Sequence, residues 1–411
     1  MSEKVKLLML LDGEFLNDIR VKKEALSLIN LFDITVLTPN LEKRPETENF
    51  NGIEILRIKN FTKKSYKFIY DTWVAVFRTH PLFYDSAAKF IENNEQVVIH
   101  IHDLPLVGTG IKLKKKYSNV KFLVTDFHEN YPEGLKGWNN RRKNIIVRLR
   151  NTLFFGQNRW TKYEKFAILN SDKIIAVIEE MKAYLVKKHQ VSPEKIFLVP
   201  NSTSSDFGKD LRKLKLAKSK EKEFTILYIG GIGDHRGLDT LIKGLSIANK
   251  SIPQIKFVIY GKGNRDIINY LRSLIEKLDL EDTVEFNDWI SIKKIPELIK
   301  QAHINTIPHK SNLHTDHTMP NKIYQMLLIG QPILVSSCKP IKRIVEETNS
   351  GKVFIAGDAE SCAAEIENIY KEYELLLKNK DKIIELAERS YSWEKSSEEL
   401  NMFYSKLIEN I

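Results

Sequence analysis

Two stretches of this chain set glycines, a fixed cation and a helix start within a few residues of one another. In FTILYIGGIGDHRGLDTLIKGL, Gly230, Gly231 and Gly233 let backbone approach a ligand closely, and Arg236 puts a guanidinium beside them. A planar, bidentate donor suits a diphosphate. In the segment His317–Gln325, Pro320 just before Asn321 favours a helix start whose free backbone N–H groups face an anion, and Lys322 adds a point charge. Gly261 and Gly263, in YGKGN, end a strand and open a helix, which alone is a weak sign. Each feature has a plain structural counterpart: a tight strand–helix turn, or a helix cap with a surface lysine. A third group gathers histidine with acids. His128 follows the run VKFLVT in DFHENYPE, beside Asp126 and Glu129, and that strand-end position lifts it above an ordinary core histidine. His100, His102 and Asp103 lie in VIHIHD, where a core or edge role suffices for the histidines. Asp18 and Arg20 open the helix after the first strand, and a helix cap accounts for Asp18.

The elements that must hold these groups are legible as β-branched runs alternating with helical patterns, the mark of parallel α/β architecture. The first half reads VKLLMLL, DITVLT, GIEILRI, QVVIHIH, VKFLVT, KIIAVI and KIFLVP; the second reads FTILYIG, IKFVIYG, TVEF, HINTIP, PILVSS and KVFIAG. Near-continuous hydrophobicity suits strands covered on both faces. Two such series predict two doubly wound, Rossmann-like domains with ligands at the carboxyl ends of the strands. The spacing predicts a first domain over 1–203, a linker over 204–223, a second domain over 224–390 and a terminal helix over 391–411 that packs back towards the first domain.

A chain of 411 residues suits two cores, and 42% apolar content is ordinary for a globular protein. Two cysteines, Cys338 and Cys362, make neither a disulfide framework nor a metal cluster and fit a reducing, cytoplasmic setting. The first apolar run is of strand length and lacks a cleavage site, and no stretch reaches the roughly 20 apolar residues of a membrane span. Charge is uneven: residues 1–200 hold 33 Lys and Arg against 23 Asp and Glu, so nearly all of the net +11 lies there. That asymmetry points to an anionic partner for the first domain.

The ordered set of motifs resembles the glycosyltransferase family-four group of GT-B enzymes. The likeness begins at FTILYIGGIGDHRGLDTLIKGL and continues through FVIYGKGN, VEFNDWI, HINTIPHK, MPNKIYQMLLIGQPILVSS and YSWEKSSEEL. In the first domain it includes FLNDIRVKKEAL, VIHIHD and VTDFHENYPE. The resemblance implies two Rossmann-like domains facing a central cleft, and a sugar drawn from a nucleotide-diphosphate donor with retention of configuration. It gives Asn321 and Lys322 the donor diphosphate, extends the donor site over Gly230, Gly231, Gly261, Gly263, His317, Met319, Pro320 and Gln325, whose amide can still hydrogen-bond ribose hydroxyls, and places His128 beside the reacting sugar. Asp288 and Trp289 stand where the nucleotide base usually meets the protein, although a tryptophan there also reads as core. Asp18, Arg20, Asp103 and Glu129 fall on the acceptor side. The chain departs from the family at three positions. His317 and Gln325 stand where two glutamates eight apart are common, and Gly231 stands where an arginine often follows the first strand.

In such an arrangement Arg236, Lys322 and helix-end N–H groups would stabilise the leaving diphosphate, in the place a divalent ion takes elsewhere. No Asp-x-Asp pair is present to carry one. No cofactor or metal is expected. Between Lys136 and Lys165 nine Lys and Arg stand against one acid, Glu164, interleaved with aromatic and aliphatic residues. This segment suits an anionic membrane surface and a glycan or lipid-linked acceptor, in polysaccharide or glycolipid synthesis, and equally a solvated helix face. Other GT-B reactions such as nucleotide-sugar epimerisation, and a non-catalytic partner protein, share the fold. Nucleic acid is not an expected partner, because no helix-turn-helix, zinc or RNP-like pattern accompanies the charge.

Overall fold

The computed structural model describes residues 4–58, 64–139, 145–212 and 219–411. The chain forms two compact units, residues 1–200 with 396–411, and residues 201–395. The first is built on eight strands: β1 (Lys6–Leu10), β2 (Asp33–Pro39), β3 (Thr47–Phe50), β4 (Ile53–Ile58), β5 (Val97–His102), β6 (Val120–Phe127), β7 (Lys173–Ala176) and β8 (Ile196–Leu198). Their order is β3-β4-β2-β1-β5-β6-β7-β8, and every pairing is parallel except β3 with β4. The second unit has β9 (Phe224–Ile229), β10 (Ile255–Tyr260), β11 (Val284–Asn287), β12 (Ile304–Ile307), β13 (Ile333–Ser336) and β14 (Gly351–Phe354). They follow the order β11-β10-β9-β12-β13-β14, all parallel. Both sheets are doubly wound, with the first strand of each, β1 and β9, inside and crossovers running outward on either side.

The central strands are largely apolar and buried because both faces are covered. All of Val97–His102 is buried, which is why two histidines on that strand need partners inside the core. The edge strand β3, TENF, escaped the sequence reading. Its residues alternate between exposed and half-buried, so it carries no apolar run, and it forms as the antiparallel return onto β4 through the turn at Asn51 and Gly52.

The stretch 204–223 was expected to be a linker. Where described, it is part of the second unit instead. A Cβ on Gly208 would stand 2.2 Å from the Ile329 side chain, and Arg212 pairs with Glu388 while donating to the carbonyl of Phe207 at 3.5 Å. Polar, turn-rich sequence here marks a segment held by ion pairs rather than a free connection. Residues 213–218 lie outside the described ones. The last helix, Trp393–Ile408, begins in the second unit, and from Ser396 onward it belongs to the first. Leu400, Phe403, Tyr404 and Leu407 are buried in the same core as β1, β2, β4, β5 and β6. Phe403 packs at a tilt against Phe197 with ring centres 4.3 Å apart, and Tyr404 meets Phe32 edge-on at 5.3 Å.

Candidate functional site

In the second unit the ends of β9 and β12 and the start of helix Lys322–Ile329 converge. After β9 the chain turns through Gly230 and Gly231 into the short turn Asp234–Arg236, and Gly237 then opens the helix Leu238–Ala248. Gly237 sits at φ +66, and a Cβ on it would stand 1.8 Å from the Pro308 carbonyl oxygen, so only glycine lets this loop lie against the end of β12. Lys322 Nζ lies 3.8 Å from the centroid of the Tyr228 ring and is buried without a hydrogen-bond partner. Tyr228 is held by its hydroxyl, which donates to the Gly231 carbonyl at 2.7 Å. Arg236 Nη1 lies 2.9 Å from His309 Nε2. Burial, then the Arg236 charge, holds the Lys322 ammonium well below the usual lysine range. Burial, then Lys322 and Arg236, likewise keeps His309 well below the usual histidine value. The buried Lys322 Nζ and the half-buried Arg236 guanidinium face neutral partners. That costs free energy until an anion arrives.

The structure distributes the other sequence-derived donor residues unevenly. Gly231 is exposed, and a Cβ on it would meet nothing within 4 Å, so the space beside it is open. A Cβ on Gly261 would stand 2.0 Å from the Gly230 carbonyl oxygen, and one on Gly263 would stand 2.3 Å from that of Ile232; these two glycines let neighbouring loops touch. Asn321 is exposed at the N-cap of the helix and makes no side-chain cap, which leaves the helix-start N–H groups uncovered by it. Gln325 is half-buried one turn after Lys322, on the same face. Met319 is buried. Pro320 is half-buried. His317 is buried, with Nδ1 2.7 Å from the Leu313 carbonyl oxygen. Asp288 and Trp289 follow β11 and are both exposed, Trp289 by 53%, so the tryptophan is not core. Tyr228 and His309 were missed in the sequence because each reads as part of a buried strand or its end.

In the first unit a second group forms at the ends of β1, β5 and β6. His128 Nε2 lies 3.0 Å from Asp126 Oδ2, its Nδ1 lies 3.4 Å from Asp103 Oδ2, and its backbone N–H donates to Asp103 Oδ1 at 3.3 Å. Asp103 itself sits at φ +67, a strained backbone for a residue with a side chain. Burial and Arg20 act to lower His128, but Asp103 and Asp126 outweigh them and raise it to about 9. Asp12, after β1, has both oxygens 3.4 Å from Lys67 Nζ, and burial pushes it up to about 6. Asp18 Oδ1 accepts from the backbone N–H groups of Arg20 and Val21, so it caps the helix Ile19–Leu28. Arg20, expected on the acceptor side, is instead buried: its Nε donates to Glu24 at 2.7 Å and its Nη2 to both oxygens of Asp126 at 2.7 and 2.8 Å.

Burial, with the Asp103 charge adding to it, pushes Glu129 up to about 7. The group is therefore an acid below neutrality and a carboxylate above it. If the acceptor hydroxyl hydrogen-bonds to the carboxylate, turnover rises about tenfold between pH 6 and pH 8, and Glu129→Gln flattens that limb of the pH–rate profile. The same shift makes folding take up a proton between the ordinary value of 4.5 and about 7, so this group's contribution to stability falls as pH rises across that window.

Two helices of the first unit carry apolar stripes that are exposed among the described residues. Ile69, Trp73 and Phe77 repeat every fourth residue on helix Lys64–Phe77, and Leu149 and Leu153 do so on helix Ile145–Phe154; all are exposed. The two helices meet where the Arg150 guanidinium lies 4.2 Å over the Phe68 ring. Within the basic segment 136–165, residues 140–144 lie outside the described ones.

Comparison with known proteins agrees with this geometry. Residues 23–207 match the family Glycosyltransferase Family 4, and residues 212–389 match Glycosyl transferases group 1. An uncharacterized glycosyltransferase of Haemophilus influenzae is 26% identical over 57% of this chain and 61% of its own length. A chitobiosyldiphosphodolichol beta-mannosyltransferase of Debaryomyces hansenii is 24% identical over 71% of this chain and 64% of its own. The chain thus spans less than two thirds of these curated relatives. Among solved structures, a sucrose-phosphate synthase of Thermosynechococcus elongatus superposes with a TM-score of 0.75 at 15% identity, covering 99% of this chain and 100% of that one. HepE of Anabaena, solved in complex with UDP, gives 0.70 at 13% identity, covering 99% and 100%. At such identities the likeness is one of fold. Two parallel-sheet Rossmann-like units matched in this way define the GT-B class. Within that class the chain belongs to the glycosyltransferases that join a family 4 domain to a group 1 domain.

Proposed function

We propose that the protein transfers a sugar from a nucleoside-diphosphate donor, bound by the second unit, to a glycan or lipid-linked acceptor held by the first. The observation that carries this is the buried Lys322 Nζ, without a hydrogen-bond partner and near Arg236. As the glycosidic bond breaks, the diphosphate gains charge, and these two cations with the helix-start N–H groups stabilise it. No metal is needed at the diphosphate in this reading, so added Mg²⁺ or Mn²⁺ does not raise the transfer rate. His128 lies at the reacting sugar and Glu129 on the acceptor side. We read the transfer as proceeding with retention, as the resemblance implies, and proton NMR of the product's anomeric centre tests it. The direct test of the donor site is a thermal-shift screen against UDP, GDP, ADP and their sugars. One nucleotide family stabilises the wild type, and the shift shrinks in Lys322→Ala. A wild type that responds to none of them overturns the assignment.

A specific observation favours a membrane-facing first unit in a cytoplasmic, peripheral protein. No helix among the described residues is long and apolar enough to cross a membrane. The exposed stripes at Ile69, Trp73, Phe77, Leu149 and Leu153 lie on the unit that carries most of the net positive charge. Apolar side chains beside basic ones suit the headgroup region of an anionic bilayer. In flotation with phosphatidylglycerol vesicles at low salt the wild type rises with the lipid, and Trp73→Ala with Phe77→Ala leaves it in the pellet. Equal flotation of the variant rules out this face.

A further inference from the structure

The core of the first unit holds a group of ionisable side chains of which the transfer reaction uses only Asp126, as an anchor of His128. His100 and His102 are two apart on β5 and so point to one face, and His102 pairs in register with Asp126 on β6. Helix Ile19–Leu28 lays Glu24 over them. All four are buried, at 1% exposure or less. Arg20 occupies Glu24 Oε1 and both oxygens of Asp126. Glu24 Oε2 and His100 Nε2 are left buried with no hydrogen-bond partner. Such atoms are rare in a folded core and call for an occupant.

The separations say what kind. His100 Nε2 lies 4.0 Å from Glu24 Oε2 and 3.8 Å from Asp126 Oδ2, while His102 Nδ1 lies 3.9 and 3.5 Å from the same two oxygens. These gaps are too long for hydrogen bonds. A four-coordinate ion with bonds of about 2.0–2.1 Å sets its ligands about 3.4 Å apart, so a contraction of a few tenths of an ångström closes the group around one. The gaps are also too short for a water, which would need its partners about 4.6 Å apart at ordinary hydrogen-bond lengths. His100 has the outer partner such a ligand needs: the Tyr404 hydroxyl lies 2.8 Å from Nδ1, which fixes the ring and leaves the Nε2 lone pair facing inward.

We propose that Glu24, His100, His102 and Asp126 bind a divalent transition metal of the zinc class inside the first unit. Two imidazoles and two carboxylates suit such an ion, and four protein ligands leave no open position, so the site is structural rather than catalytic. Its ligands belong to the first unit and the donor residues to the second, so it takes no part in holding the diphosphate. The ion ties β5, β6 and helix Ile19–Leu28 together directly behind His128, whose Nε2 contacts Asp126 and His102. This inference does not depend on the transfer reaction proposed above.

Full-length protein is loaded with Zn²⁺, desalted and analysed by mass spectrometry for metal per chain. The same is done with Co²⁺, read by its visible absorption. Wild type retains about one equivalent, shows the intense ligand-field bands of tetrahedral Co²⁺, and melts about 5 °C or more higher than after chelation. Glu24→Gln, which keeps the shape and the bond to Arg20, loses the metal and the bands. His128→Ala keeps all four ligands and binds as the wild type does. Less than about a tenth of an equivalent in the wild type, equal binding by Glu24→Gln, or octahedral Co²⁺ bands overturns the site and leaves an ion-pair network only. If Glu24→Gln fails to fold, the metal content and Co²⁺ spectrum of the wild type decide alone.

Discussion

Replacing Lys322 with methionine is expected to lower kcat/KM for the nucleotide-sugar by about 10²–10³-fold while raising the melting temperature of the nucleotide-free protein. Both effects come from one geometry. The ammonium lies over the Tyr228 ring with no hydrogen-bond partner, so in the free protein it is a cost, and only an anion redeems it. Methionine keeps the length and apolar body without the charge. The stability effect carries a pH signature. The folded-state pKa lies below the ordinary 10.5, so folding releases a proton in the window between the two. Stability of the free wild type therefore climbs with pH up to the ordinary lysine value, and that slope disappears in Lys322→Met. Chemical denaturation at several pH values, with and without nucleotide, separates the two effects. Loss of activity together with loss of stability would show that the lysine holds the fold and not the ligand.

The second large effect is on the other unit. His128→Ala is expected to lower kcat about 10²-fold or more while leaving the thermal shift given by the nucleotide unchanged, because the groups proposed to hold the nucleotide all lie in the second unit. The imidazole is fixed on both sides, by Asp126 at Nε2 and Asp103 at Nδ1, and the strained backbone of Asp103 is part of that fixation. Asp103→Asn keeps the shape and weakens one of the two anchors, so its loss is smaller. Steady-state kinetics with the nucleotide and the acceptor varied in turn reads the result. A change confined to the KM for the nucleotide would place His128 outside the reacting centre.

How far these sites could be read from the sequence depended on what kind of signal carried them. Strands covered on both faces declare themselves by unbroken apolar runs, and so β5 and β9 were plain. The edge strand TENF faces solvent on part of its length and has no such run. The proposed anion site at Asn321 and Lys322 could be read in the sequence because the residues of a helix start are contiguous there. The partnership of Lys322 with Tyr228 was not, since a tyrosine in a buried strand reads as packing. The cluster under His128 was the least accessible. Arg20 and Asp126 lie 106 positions apart, and only the parallel pairing of β5 with β6 beneath the first helix brings their charges together. Asp18 shows the converse: its cap was visible from local sequence, and the cap is what the structure uses it for.

The closing helix has a consequence for how this chain comes to exist. Leu400, Phe403, Tyr404 and Leu407 complete a core whose other members begin at Leu7. A protein is made from its amino end at about 5–20 residues per second, and domains usually fold as they emerge. The second unit, residues 201–395, has its whole sequence in hand before the first can shut. During synthesis the amino-terminal half therefore waits with an open seam along Phe32 and Phe197 until the final turns of helix leave the ribosome. Birth order and folding order are reversed here, and a chain stopped before Leu400 would leave the early half unfinished.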